Sequence, residues 1–153
     1  MNSKQLLDFV LNEPTLKRVV RGVYASNTLP KVVTRYPSAF IINTQPLPLP
    51  GEHWVAVIIH SSSEADFFDS LGKPPGEHPT IENFIHKNSE QCNVKSKRLQ
   101  PSYSDLCGLY VLVFLISRLC LNMSLSQFYA LFSNNIQNND NFVHSFLYNF
   151  LYQ

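Results

Sequence analysis

The apolar positions of this chain fall into blocks that change period along its length. Residues 3–11, SKQLLDFVL, read as a first helix that ends before Pro14. Residues 15–21 read as a second, shorter one, with basic residues at its end and Gly22 as its stop. Pro30 and Pro37 punctuate a loop with one short strand, Val32 to Thr34. Ala39 to Asn43 reads as a buried strand, and TQPLPLPG (44–51) as a rigid extended connector, because its three prolines suit neither helix nor central strand. The strongest strand pattern is 53–60, HWVAVIIH; 65–69, ADFFD, follows after a short polar gap that suits a hairpin. Thr80 is the expected cap of a helix over IENFIHKN, and 93–99 a solvent-facing strand with weak alternation.

From Cys107 the pattern turns helical. Residues 107–120 are apolar all round, as a helix in the centre of a fold is. Ser124 and Gln127 form a capping-box pattern ahead of the next helix, and Asn139 or Asp140 is the cap of a last one, NFVHSFLYNFL. Helices, a strand block, a central helix and more helices define an α+β class. The expected architecture is a mostly antiparallel sheet packed against the central buried helix, with additional helices at both termini. The length of 153 residues fits a single domain over 1–153.

Composition narrows the function classes. The chain is 44% apolar and 15% charged with a net charge of +1, which excludes a disordered chain and gives no basic field for nucleic acid. Three cysteines without a C-x-x-C pair argue against a disulfide framework and against a structural zinc site, and fit a reducing compartment; no metal ligand set is expected. The N-terminus lacks a secretory pattern. The most apolar stretch, near 106–121, is interrupted by Arg118 and short for a bilayer span, so no membrane partner is expected.

Candidate chemistry begins with the thiols. Cys107 opens the longest helix, where the helix N-terminus stabilises a thiolate. Its bland reading is a small buried residue. Gly108 beside it allows a substrate carbonyl close to the backbone. Cys120 reads as core, and Cys92, in a polar stretch, as an exposed thiol. A cysteine nucleophile needs a base. Of five histidines, His78, His86 and His144 read as surface residues and His60 ends a strand at a turn. His53 starts the apolar strand after the proline loop, a common placement for a functional group. The orienting carboxylate is Asp69 or Asp66. An antiparallel hairpin sets Asp69 beside His53 and leaves Asp66 near the turn. For the oxyanion, the Cys107 amide and the Gln100 side chain are candidate donors.

Gly51-Glu52-His53-Trp54-Val55, then Phe67-Phe68-Asp69-Ser70-Leu71-Gly72, then Gln100 and Cys107-Gly108-Leu109-Tyr110 occur in one order. That order resembles adenain, the adenovirus-type cysteine endopeptidase, whose fold is shared with SUMO and ubiquitin-like proteases. The resemblance covers about residues 39–121. It implies His53 as general base, Asp69 as orienting acid, Gln100 as oxyanion glutamine and Cys107 as nucleophile. It implies Trp54 and Gly108 beside the substrate. The implied activity is a thiol protease cutting viral capsid or core precursor proteins after small, Gly-type residues, inside the host nucleus or the virion. A ubiquitin-like or SUMO isopeptidase of the same fold is the alternative. Adenoviral enzymes also bond a cysteine to an activating peptide, for which Cys92, eight residues before Gln100, is the candidate. They are stimulated by DNA. The basic residues here are few, namely Lys17, Arg18, Arg21, Lys95, Lys97 and Arg98, so DNA activation is left open. No other cofactor is implied.

Overall fold

Asn2 opens the first helix, α1 (Ser3–Asn12): its side chain accepts from the Gln5 amide, and the Gln5 side chain accepts from the Asn2 amide. Pro14 stands in the first turn of α2 (Pro14–Val19), where its missing N–H costs nothing, and Glu13 accepts from Leu16 N–H at 2.6 Å. The computed structural model describes residues 1–153. Here it departs from the sequence reading, because α2 does not run on to Gly22. The chain passes directly into β1 (Val20–Ala25), a half-buried edge strand whose Arg21 and Gly22 hide its pattern. Residues 32–34 form no strand.

The remaining strands are β2 (Ser38–Asn43), β3 (Trp54–Ile59), β4 (Glu64–Phe68) and β5 (Gln91–Asn93), in sheet order β1-β2-β3-β4-β5. The central pairs, β2 with β3 and β3 with β4, are antiparallel, while both edge pairs are parallel. The sheet is thus antiparallel at its centre and mixed overall. A parallel neighbour needs a crossover, and α3 (Pro79–Asn88) lies in the one between β4 and β5. Two local expectations fail beside it. His78, not Thr80, occupies the cap position of α3, and the strand expected over 93–99 is replaced by the three-residue β5. The proline stretch is not an extended connector either. Residues 44–53 form the loop of the β2–β3 hairpin, and Thr44 N–H bonds to the His53 carbonyl at 2.9 Å.

The sheet is covered on both faces. Ala39, Ile41, Ala56, Ile58 and Phe68 pack with α1 and with α4 (Cys107–Leu115). Phe40, Ile42, Val55, Val57 and Phe67 pack with Ile81, Phe84 and Ile85 of α3. This two-sided burial is why β2 and β3 read as continuous apolar runs and do not alternate. All of α4 from Tyr110 to Leu115 is buried, and Phe114 stacks on Phe68 with ring centroids 4.7 Å apart. A π-helical turn, Ile116–Cys120, continues α4. The capping box of Ser124 and Gln127 opens α5 (Leu125–Ala130). Neither Asn139 nor Asp140 caps α6 (Asn139–Leu151). Asn139 is buried and donates to the Leu99 carbonyl at 2.9 Å, while Asp140 accepts from Tyr110 Oη at 2.8 Å. No helix is long and apolar enough to cross a membrane.

Candidate active site

Three elements converge at one end of the sheet. His53 stands immediately before β3, Asp69 immediately after β4, and Cys107 is the first residue of α4. The register pairs Ala56 with Phe68, so the start of β3 and the end of β4 are neighbours. His53 Nε2 lies 2.7 Å from Asp69 Oδ1, with both groups buried. The Cys107 thiol stands beside the same imidazole and near the backbone N–H groups of Trp54 and Gly108, all of which favour its thiolate.

The electrostatics follow from these contacts. Burial alone pushes the His53 imidazolium down, but the bond to Asp69 and the contact with Cys107 outweigh it and raise the pKa to about 9. Burial pushes the Cys107 thiol up. The neighbouring His53, its imidazolium charge and the Trp54 and Gly108 amides reverse that and hold it below the ordinary thiol value. Asp69 is likewise destabilised as an anion by burial, yet His53, His78 and the Leu71 amide bring it to about 2. All three shifts favour one state: carboxylate, imidazolium and thiolate. The other two thiols differ. Burial raises Cys92 to about 11 and Cys120 to about 12, assisted by the nearby carboxylates of Asp66 and Glu13 respectively. Cys92 is half-buried on β5, where the sequence reading expected exposure.

Gln100 is buried, with its side-chain amide held at both ends. Its Oε1 accepts from Ser70 Oγ at 2.5 Å, and its Nε2 donates to the Ser104 carbonyl at 2.8 Å. An amide nitrogen carries two hydrogens, so one remains for another acceptor. The Cys107 N–H, in the uncapped first turn of α4, has no protein acceptor. Trp54 is half-buried, with Nε1 donating to the Met1 carbonyl at 3.0 Å. Gly108 serves packing: a Cβ there would stand 3.0 Å from Met1 Cβ and 3.4 Å from a Leu6 methyl. A groove of about 510 Å³ opens onto Cys107, walled by Tyr24, Leu47, Leu49, Trp54 and Asp105.

The structure sets Asp66, the rival carboxylate, elsewhere. It is fully buried and bonds to Arg118 at 2.6 Å and to His60 at 2.9 Å. Sequence reasoning missed three residues. Ser70 anchors Gln100. Gly72 holds φ +77, and the backbone of Lys97 and Arg98 occupies the space a Cβ would need. His78, expected at the surface, stands with Nε2 at 3.5 Å from Asp69 Oδ2. The F-D-S-L-G run marked the first two, since a Gly three residues after a strand's end is a turn signal. Nothing in the sequence marked His78.

The chain matches no protein-family model and no curated protein. Among solved structures it resembles the crystal structure of the selenomethionine ASFV pS273R protease, at 27% identity and a TM-score of 0.37. The match covers 59% of this chain and 37% of that one, and at this TM-score it adds nothing to the geometry.

Proposed function

We propose that the chain is a cysteine endopeptidase of the adenain type, with a capsid or core precursor protein as substrate, cut after small, Gly-type residues. The observation that carries the reading is the His53 ring, bonded to Asp69 at 2.7 Å and set beside the thiol at the head of a buried helix. Cys107 Sγ, its proton already on His53, attacks the scissile carbonyl carbon. The C–S bond forms as the carbonyl π pair moves to oxygen. The Cys107 N–H and the spare Gln100 N–H hold that oxyanion. Collapse breaks the C–N bond, and His53 gives its proton to the leaving amine. Water, deprotonated by His53, then cleaves the thioester. Asp69 keeps the imidazole oriented and stabilises its charged form.

The groove's apolar walls, Tyr24, Leu47, Leu49 and Trp54, suit an extended peptide on either side of the nucleophile. The isopeptidase alternative uses the same four residues. An activating peptide bonded to Cys92 requires that thiol to leave its packing beside the α3 face of the sheet.

The test is incubation with a proteome-derived peptide library, with cut sites read by mass spectrometry, alongside a ubiquitin-like C-terminal fluorogenic substrate. Cuts after Gly-type residues by the wild type, absent in Cys107→Ala, support the endopeptidase. Turnover of the fluorogenic substrate alone transfers the assignment to the isopeptidase. Absence of both, also with DNA and candidate activating peptides added, removes the protease reading.

A further inference from the structure

We propose that His78 is a positioning residue that holds the second oxygen of Asp69, so that the first stays aimed at His53. The proposal rests on the protease reading above.

Asp69 uses its two oxygens unequally. Oδ1 accepts from His53 Nε2 at 2.7 Å and from Leu71 N–H at 2.8 Å. Oδ2 is buried and has no hydrogen bond, although a carboxylate oxygen offers about two lone-pair sites. His78 Nε2 is also buried and also without a hydrogen bond. The two unsatisfied atoms face each other at 3.5 Å. That is a long contact rather than a formed bond, and closing it by about 0.6 Å makes an ordinary N–H···O geometry. Buried polar atoms without partners are rare, and two in one contact point to each other as partners.

The chain brings His78 back to Asp69 across nine residues. Gly72 N–H bonds to the Asp69 carbonyl at 2.9 Å, and His78 N–H bonds to the Pro75 carbonyl at 2.9 Å. The His78 carbonyl accepts from Glu82 N–H at 2.9 Å, which fixes the residue to the start of α3. Its ring leans on Phe67, with centroids 6.3 Å apart. Two side chains with titratable groups contact Asp69, His53 from the start of β3 and His78 from the start of α3, while Tyr129 of α5, whose hydroxyl donates to the Lys95 carbonyl, feels its charge from further off. Of these only His78 presents an unused N–H donor. A carboxylate anchored through Oδ2 does not turn about its Cβ–Cγ bond, and Oδ1 keeps its place on the imidazole as the ring gains and loses its proton.

The test uses iodoacetamide alkylation of Cys107, read by peptide mass spectrometry at pH 6.5, which needs no substrate. His78→Phe keeps a ring against Phe67 but has no N–H. His78→Gln keeps a donor near Nε2. Expected are alkylation of Cys107 slowed by roughly 10-fold in His78→Phe, a rate close to wild type in His78→Gln, and similar melting temperatures for both. Wild-type rates in His78→Phe, or equal slowing in both variants, overturn the proposal. His53→Ala in parallel separates the two readings. If it leaves the wild-type rate of Cys107 unchanged, the protease reading fails and His78 fails with it.

Discussion

Arg118, on the π-helical turn, reaches Asp66 with two nitrogens, Nε at 2.7 Å and Nη2 at 2.6 Å from the same Oδ2. Asp66 lies inside the sheet with no exposed surface, and Asn93 and His60 complete its shell. Three residues along the chain, Asp69 has the same chemistry and an opposite fate, because one carboxylate is neutralised by a fixed cation and the other by a proton carrier. Arg118→Ala strands a buried carboxylate, a change that typically costs about 3–5 kcal/mol. Asp66→Asn combined with Arg118→Met leaves no stranded charge and should cost clearly less. Urea unfolding of the wild type and the two variants measures this. Equal losses for single and double variants would contradict the pairing.

Thiol reactivity separates the three cysteines. Cys107 is held below the ordinary thiol value, whereas Cys92 stands near 11 and Cys120 near 12. Alkylation tracks the thiolate fraction. At pH 6–7 Cys107 should label at least ~100-fold faster than either, and His53→Ala should remove most of that difference. Peptide mass spectrometry after timed iodoacetamide quenches reads all three sites at once.

Stability should fall at both ends of the pH scale. Asp69 has a folded pKa of about 2, below its unfolded value. Its contribution is complete above about pH 4 and fades as pH falls toward 2. His53 is raised from 6.5 to about 9. Its contribution is complete below about 6.5 and is lost as pH rises through 9. Each is on the order of 2–3 kcal/mol, and the two share one contact, so they do not add. Thermal melts of wild type and Asp69→Asn should differ most between pH 4 and 6.5 and converge near pH 2. An unchanged acid limb in Asp69→Asn would locate the acid sensitivity elsewhere.

Gln100, the proposed oxyanion donor, offers a catalytic test, although Gln100→Glu sets a buried carboxylate oxygen against the Ser104 carbonyl and so carries a stability cost. Gln100→Glu keeps an oxygen for Ser70 Oγ and removes the amide hydrogens. Loss of one oxyanion donor typically lowers kcat by about 10²–10³. Melting temperature, compared across wild type, Gln100→Glu and Gln100→Ala, reports the loss of the Ser104 bond separately.

The lines legible in the sequence were those set by strong local signals. The apolar runs of β2 and β3, the capping box at Ser124 and the all-apolar α4 are each decided within a few residues. The adjacency of His53 and Asp69 followed from hairpin geometry alone. What escaped depends on partners distant in sequence. β1 gains strand structure from its parallel neighbour β2, twelve residues beyond its end, and its own pattern is broken by Arg21 and Gly22. Thr80 was a plausible cap by residue type, but Pro79 already fits the first helical position and moves the boundary back to His78. His78 itself lies beyond a proline-rich loop, whose direction no local pattern gives.

Gly72 ties two far stretches into a single brace. A Cβ on it would stand 2.7 Å from Arg98 N, its φ of +77 strains any other residue, and next to it the Ser70 carbonyl accepts from both Leu99 and Gln100. Asp69 and Gln100 are therefore linked through the one turn at Ser70. The 44–52 loop is held differently, on the side-chain amides of Asn27, Asn43 and Gln45. One stretch beside the site is thus tied backbone to backbone, and the proline loop is tied through side-chain amides.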